Sequence, residues 1–333
     1  MSARPSFPSL LESFFHHRMV RQRNATPATI ASYRDALRML VLFAADRARC
    51  EPCDLTIDHI DRDTILAFLD HLEATRANKI QTRNARLAAV RSFFQHVAAN
   101  DPGSLGVAHR ILAIPLKRAH TEVTHHLTRE ELDALIAAPD QRTERGRRDR
   151  TLLLFLGRTG ARVSEALAIN VDDLHLDRTR PQVLLRGKGR RERVVPIAAD
   201  LAGALRTLIS ERGLDQQASI FQGVHGERMT RFGATHVVWR AVAAATTAQP
   251  GLATKVVSPH VLRHTLAMTL LQSGVDLLTI QAWLGHSQVA TTHRYAAADV
   301  EMMRRGLHQA AISGKQPARF KTKDRVLQLL ESI

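Results

Sequence analysis

One short segment of the sequence has the residue pattern of β-strands, whereas the apolar residues elsewhere recur at helical spacing. Residues 182–197, QVLLRGKGRRERVVPI, contain two β-rich runs around a turn of glycine and charged residues, which predicts a β-hairpin. Over most of the remaining sequence, apolar residues recur every three or four positions, the pattern of amphipathic helices. We therefore predict a mainly α fold that carries one small β-sheet.

The first 100 residues are predicted to form four helices and no strand. The second helix has the clearest start, because Thr26 is a candidate N-cap and Pro27 would occupy the first helical position. The four predicted helices cover residues 10–20, 27–47, 61–76 and 79–100. The fourth carries a basic stripe of Lys79, Arg83 and Arg86, which is either a solvated face or a surface that contacts DNA.

A chain of 333 residues is too long for one ordinary core, which predicts two domains. Residues 101–123 contain glycine, proline and basic residues without a sustained period, so they are predicted to be a linker. We place a helical domain at residues 1–118 and a mixed α+β domain at residues 124–333. In the second domain, Thr128 and Glu131 have the spacing of a capping box, and a later helix is predicted to end at Gly160.

The net charge of +15 and the isoelectric point near 11 predict a polyanionic partner, and nucleic acid is the simplest one. Basic residues exceed acidic ones by six in residues 1–120 and by nine in the rest, so both domains are expected to face the anion. Neither a signal peptide nor a membrane span is apparent, which favours a cytoplasmic protein. Cys50 and Cys53 form a single C-x-x-C without a second pair, and we interpret them as ordinary cysteines.

Two segments of the second domain place arginines beside helix starts. In TGARVSEAL, Arg162 immediately precedes a predicted helix that carries Glu165 one turn later. In SPHVLRHTLAMTLLQSG, the predicted helix begins after Ser258, and His260 and Arg263 share one face of its first turns. Helix N-termini favour anions, so a phosphate could bind there. His264 points elsewhere and is interpreted as structural.

Two further segments complete an ordered set of polar residues. DLLTIQAWLGHS is predicted to be a helix that ends at Gly285 and is followed by His286, and TTHRYAAADV places Tyr295 nine residues later. Each of these residues has an ordinary interpretation by itself, since arginines form surface ion pairs and tyrosines fill gaps in packing. Two arginines, two histidines and a tyrosine in this order are much less ordinary.

This set of motifs resembles the tyrosine recombinase family, also called the phage integrase family. R-x-S-E at Arg162, the GKG hairpin, H-x-L-R-H, L-G-H and the tyrosine nine residues later carry the resemblance, which extends over nearly the whole chain. It implies a helical core-binding domain followed by a mixed α+β catalytic domain. It also implies that Tyr295 is the nucleophile, that Arg162 and Arg263 bind the scissile phosphate, and that His260, His286 and Lys188 assist. The hairpin continues GKGRRER, so the choice of Lys188 over its basic neighbours depends on the GKG context.

The chemistry of these residue types agrees with the resemblance. Planar guanidinium groups neutralise the charge that spreads over the non-bridging oxygens of a phosphate, and a tyrosine hydroxyl can form a covalent phosphoryl link. Lys188 could protonate the leaving 5′-oxygen, His260 could accept or orient the phenol proton, and Glu165 could hold Arg162 in place. No carboxylate cluster or phosphate-binding glycine loop is apparent, so neither a metal nor ATP is expected as a cofactor.

The expected activity is metal-independent cutting and rejoining of duplex DNA, with integration, excision, transposition and resolution all open. The resemblance further implies a 3′-phosphotyrosyl intermediate and a tetramer of protomers on two DNA sites. A type IB topoisomerase and a catalytically idle DNA-binding protein are the alternatives. The end segment, residues 324–333, has an apolar stripe but is short for an isolated helix, so we expect it to dock on its own domain or in a groove of the next protomer.

Overall fold

The computed structural model describes residues 5–119, 125–177, 179–187 and 191–285. The chain divides into two compact units, Met1–Glu122 and Val123–Ile333. The first unit is helical in its described residues, and the second combines helices with a small sheet. The predicted fold class, mainly α with a small β-sheet, is confirmed.

Among its described residues, the first unit contains five α-helices and a nine-residue π-helical segment. Thr26 accepts a hydrogen bond from the backbone N–H of Thr29, and Pro27 occupies the first helical position as predicted. The elements are α1 (Phe7–Ser13), its π-helical continuation (Phe14–Gln22), α2 (Pro27–Ala48), α3 (Arg62–Ala74), α4 (Ile80–Asn100) and α5 (Leu105–Leu112), with 3₁₀ turns at Pro52–Asp54, Ile57–His59 and Pro102–Ser104.

An aromatic cluster joins the first and fourth helices of this unit. The rings of Phe7 and Phe14 meet Phe93 edge-on, with centroids 6.0 and 5.5 Å apart, and Phe93 meets Phe94 at 5.3 Å. All four side chains are buried. Edge-to-face pairs at such distances add to the stabilisation that burial already provides.

The prediction of a linker over residues 101–123 is wrong for residues 105–112, which form α5. Ala108 and Ile111 are fully buried in the core of the first unit, and Ile114 follows them into it. An eight-residue helix is marginal by itself, so its stability comes from packing against α4, a long-range contact that the local pattern does not reveal.

The second unit contains seven α-helices and three strands among its described residues. They are α6 (Arg129–Ala137), α7 (Glu144–Thr159), α8 (Val163–Ala168), β1 (Leu174–His175), β2 (Gln182–Arg186), β3 (Glu192–Pro196), α9 (Ala199–Arg212), α10 (Arg231–Ala245), α11 (Pro259–Gln272) and α12 (Leu277–Leu284), with 3₁₀ turns at Val171–Asp173 and Pro250–Thr254.

The three strands form one antiparallel sheet in the order β1-β2-β3. The predicted hairpin is β2 and β3, in which Val183 lies opposite Val195 and Leu185 lies opposite Arg193. Val183, Leu185 and Val195 are fully buried, so this face of the hairpin lies against the core of the unit. Residues 188–190 of the turn lie outside the described residues.

Two predicted helix signals in the second unit are confirmed. Thr128 and Glu131 form the reciprocal capping box at the start of α6. Helix α7 ends at Gly160, which has a left-handed backbone with φ of 63°. A Cβ on Gly160 would lie 2.7 Å from Cδ2 of Leu284, so glycine here lets the C-terminal ends of α7 and α12 approach closely.

Candidate active site

Arg263 is buried where α7 and α12 end. It lies in the second turn of α11 and is only 2% exposed. Its Nη1 donates a hydrogen bond to the carbonyl oxygen of Gly160, and its Nη2 donates one to that of Leu284, both at 2.6 Å. The guanidinium therefore joins the C-termini of two helices, where the helix dipole favours a positive charge.

Arg162 approaches the same place from the start of α8. Its Nη1 donates to Oε1 of Glu165 at 2.6 Å, and its Nη2 donates to the carbonyl oxygen of Gly285 at 3.0 Å. Since Leu284 and Gly285 are consecutive, the two arginines that sequence analysis singled out bind neighbouring carbonyls. The Arg162 side chain remains 39% exposed, so an anion from solvent can reach it.

A third arginine, Arg193 of β3, completes this arrangement and was not predicted. Its Nε donates to the carbonyl oxygen of Trp283 at 2.8 Å, and its Nη2 donates to Oε2 of Glu165 at 2.7 Å. The carbonyls of residues 283, 284 and 285 thus each accept a hydrogen bond from a different arginine. Strand alternation is a signal that could have found Arg193, because it shares a face with the buried Val195.

Glu165 is the buried anion of the cluster, with 3% of its residue surface exposed. Besides the two guanidinium groups, it accepts the backbone N–H of Arg162 at 2.9 Å. Burial by itself would raise the pKa of Glu165, but hydrogen bonds from Arg193 and Arg162 hold that pKa below its ordinary value. The carboxylate is therefore ionised at neutral pH and can fix the orientation of both arginines.

His260 lies in the first turn of α11, one helical turn before Arg263. The side chain of His260 is exposed to solvent, whereas that of Arg263 is buried in the unit. His264 is buried, and its ring lies 6.2 Å from that of His126, which fits the structural role expected for it.

Three predicted site residues, Lys188, His286 and Tyr295, lie outside the described residues. The residues that precede the first two, Gly187 and Gly285, both lie against the arginine cluster. A Cβ on Gly187 would come within 3.1 Å of Oε1 of Glu165, and a Cβ on Gly285 within 2.9 Å of Nη1 of Arg193. Glycine at both positions therefore permits close approach to the cluster.

In the first unit, the predicted basic stripe of α4 is only partly on the surface. Lys79 is exposed at the N-cap of α4, and Arg86 is half-buried with Nη1 donating to the carbonyl oxygen of Ser32 at 3.3 Å. The Arg83 side chain is only 4% exposed, and its Nε lies 3.9 Å from Oε2 of Glu73. The structure thus brings Arg83 into an ion pair within the unit and leaves Lys79 and Arg86 nearer the solvent.

The described residues contain neither a candidate metal-binding cluster nor a candidate membrane-spanning helix. In those ranges, no group of three or more His, Cys, Asp or Glu side chains is arranged to hold a metal ion. The same part of the chain contains no helix that is both long and apolar enough to cross a membrane.

Comparison with known proteins places this arrangement in a family. Residues 125–302 match the phage integrase family, and residues 11–100 match the N-terminal SAM-like domain of phage integrases. The chain is 65% identical to the putative integrase/recombinase y4rD of Sinorhizobium fredii over 259 residues, which cover 77% of this chain and 92% of that protein. It is 30% identical to the tyrosine recombinase XerC of Pelobacter propionicus, over 87% of this chain and 91% of XerC.

A solved structure supports the same assignment at the level of the fold. The XerH site-specific recombinase, bound to its palindromic difH substrate after cleavage, superposes with a TM-score of 0.66 at 24% identity, over 87% of this chain and 81% of that one. The family match and the similarity to XerC identify the chain as a DNA strand-transferase of the recombinase class. The chain belongs to the phage integrase family of tyrosine recombinases.

Proposed function

We propose that this protein is a site-specific recombinase that cuts and rejoins duplex DNA through a 3′-phosphotyrosyl intermediate on Tyr295. One observation carries the proposal: Arg263 and Arg162 donate hydrogen bonds to the carbonyl oxygens of the consecutive residues 284 and 285, so both guanidinium groups lie at the end of α12. Glu165 orients Arg162 there. Two oriented guanidinium groups suit a single phosphodiester, because the charge that develops in the transition state falls on its non-bridging oxygens.

In the proposed reaction, the Tyr295 hydroxyl attacks the scissile phosphorus and the 5′-oxygen of the DNA leaves. Lys188 protonates that oxygen. His260 accepts or orients the phenol proton, and His286 assists at the same phosphate. The tyrosyl phosphodiester conserves the energy of the broken bond, so a 5′-hydroxyl from a partner strand reverses the step. The reaction then needs no ATP or metal.

We further propose that the natural substrate belongs to a mobile element or phage and that four protomers act on two sites in the cytoplasm. The integrase/recombinase description of y4rD supports the mobile-element context. The excess of basic over acidic residues in both halves of the sequence supports a duplex DNA partner for both units.

The test uses nicked duplexes prepared from the DNA that borders the gene. A nick next to the cleavage position lets a short fragment diffuse away, so the covalent protein–DNA adduct accumulates. We expect an SDS-resistant adduct that protease digestion converts to a phosphotyrosyl-DNA remnant. Absence of an adduct on every bordering duplex would contradict the proposal, and relaxation of a single-site supercoiled plasmid without strand exchange would indicate a type IB topoisomerase instead.

Removing Lys79 and Arg86, the two residues of the basic stripe that lie nearer the solvent, is expected to weaken DNA binding. With Lys79→Ala and Arg86→Ala combined, each lost phosphate contact should reduce the slope of log affinity against log salt by about 0.9. Arg83→Ala should instead lower the thermal stability of the first unit, because it removes the packing of a buried side chain, while Glu73 keeps its ion pair with Lys117. The measurements are fluorescence anisotropy at several salt concentrations and a thermal melt.

A matched control for the stripe is Arg62→Ala on α3, an exposed arginine next to Asp63. It removes a charge of the same sign from the same unit, so its salt slope should stay closer to that of the wild type. Equal slopes for the wild type and the double variant would show that Lys79 and Arg86 are merely solvated.

The proposed tetramer predicts a specific effect of shortening the C-terminus, although residues 324–333 lie outside the described residues. Deleting this segment should spare binding of one protomer to one site and abolish cooperative binding at paired sites, since its apolar stripe would no longer join neighbouring protomers. Gel-shift titrations on single and paired sites measure both. Full cooperativity in the shortened protein would contradict the exchange of this segment, and global unfolding would indicate docking on its own domain.

A further inference from the structure

Arg193 occupies a position in β3 where an apolar residue would be the simpler choice. It lies opposite Leu185 and shares its strand face with Val195, and both of these neighbours are fully buried. Its own side chain is 12% exposed. A largely buried guanidinium is costly unless it is paired and hydrogen-bonded, so its partners explain why it is tolerated there.

Those partners belong to two other elements. Through Nη2, Arg193 binds Oε2 of Glu165 in α8, and through Nε it binds the carbonyl oxygen of Trp283 in α12. One planar side chain thus connects the hairpin with the two segments between which Arg162 is held. A lysine ammonium is a compact charge without this fork, so it cannot reproduce two directed bonds in the same geometry.

Both residues that accept hydrogen bonds from the Arg162 guanidinium lie next to Arg193. Glu165 divides its carboxylate, giving Oε1 to Arg162 and Oε2 to Arg193. Gly285, whose carbonyl accepts from Arg162, lies so close to Arg193 that an added Cβ would be 2.9 Å from its Nη1. Without Arg193, the backbone N–H of Arg162 would be the one donor to Oε2 of Glu165 among the residues that the structure describes, and the carboxylate could rotate.

We propose that Arg193 is a positioning residue for DNA cleavage, which fixes the Arg162 guanidinium mainly through Glu165 and secondarily through the C-terminal end of α12. This proposal rests on the proposed function, because it assigns Arg193 a role in the same phosphate-binding site. Arg193 itself does not contact the reacting atoms in this role. It acts on the orientation of a group that does, as outer hydrogen-bond partners do for metal ligands.

The experiment compares Arg193→Gln and Arg193→Lys with the wild type on the nicked duplex that gives the adduct. The rate of adduct formation at saturating DNA is measured in a single turnover, together with DNA affinity and the thermal midpoint. We expect Arg193→Gln to reduce that rate by about 10- to 100-fold, the range typical of lost outer-shell partners, with a much smaller change in affinity. Arg193→Lys should fall between Arg193→Gln and the wild type.

Arg186→Gln is the matched control, since it removes an arginine from β2 of the same hairpin. Arg186 forms ion pairs with the buried Asp173 and with Glu192, and neither of these partners binds Arg162. Its loss should therefore affect the stability of the hairpin while leaving the saturated rate near that of the wild type. If the rates of both hairpin variants fell in proportion to the decrease in their thermal midpoints, Arg193 would be a purely structural residue. That result would overturn the proposal.

A double-mutant cycle with Glu165→Gln gives the sharpest readout. Because Arg193 is proposed to act mainly through Glu165, Arg193→Gln should reduce the rate much less in the Glu165→Gln background than in the wild type. Equal reductions in both backgrounds, or a wild-type rate for Arg193→Gln alone, would overturn the proposal. A wild type that forms no adduct would overturn the proposed function itself, so the two failures are distinguishable.

Discussion

Replacing Tyr295 with phenylalanine is expected to abolish covalent attachment to DNA while leaving DNA binding unchanged. The substitution removes only the hydroxyl that would attack phosphorus, whereas the basic residues that hold the DNA backbone remain. On the nicked duplex, the wild type should give an SDS-resistant adduct and the variant none above background. A gel shift under native conditions measures the binding that should persist.

The chain offers a matched control for this variant, because it contains only one other tyrosine, Tyr33. Tyr33 lies in α2 and is partly buried against the core of the first unit. Tyr33→Phe removes a chemically identical hydroxyl and should form the adduct at the wild-type rate. Undiminished adduct yield in Tyr295→Phe would remove Tyr295 from the mechanism.

Arg162→Ala and Arg263→Ala are each expected to slow cleavage by about 10²-fold or more, the scale of a lost transition-state donor. Their effects on folding should differ, because Arg263 is buried between two helix ends and Arg162 is partly exposed. Arg263→Ala leaves the carbonyls of Gly160 and Leu284 without this donor, and each unsatisfied buried carbonyl costs about 1–3 kcal/mol. Its thermal midpoint should therefore fall further than that of Arg162→Ala.

Lysine substitutions and a nearby arginine provide the controls for these two variants. Arg162→Lys and Arg263→Lys keep the charge but lose the planar fork, so they should remain slow if paired hydrogen bonds to the phosphate matter. Arg158→Ala removes an arginine from the last turn of α7 that pairs with Asp133 and Asp200, and it should cleave normally. A near wild-type rate in either alanine variant would contradict its assignment to the phosphate.

The elements that the sequence predicted well are those whose signals are local. The capping box at Thr128, the helix end at Gly160 and the hairpin around residue 188 each depend on residues within a few positions of one another. Helix α5 was missed because its stability comes from packing against α4 and because glycine and proline interrupt the sequence around it. Local periodicity does not report such contacts.

The candidate site shows the same division between local and long-range information. The order of motifs identified Arg162 and Arg263, and the one-turn spacing suggested the contact between Glu165 and Arg162. The link from Arg193 to Glu165 joins a strand to a helix 28 residues away, and nothing in either segment indicates the other. Arg83 shows that a local pattern can also mislead. Its place on a basic helical stripe suggested a surface position, but the side chain is buried beside Glu73.

Three guanidinium groups are held at the end of α12 without DNA, which should lower the entropic cost of DNA binding. A free arginine side chain loses up to about 2 kcal/mol of rotamer entropy when it is ordered. Here that loss occurs during folding, because Trp283, Leu284 and Gly285 bind the arginines before any phosphate arrives. Phosphate binding should consequently require little further ordering of these side chains, and calorimetry on the wild type and Arg193→Gln should show a larger entropic penalty in the variant.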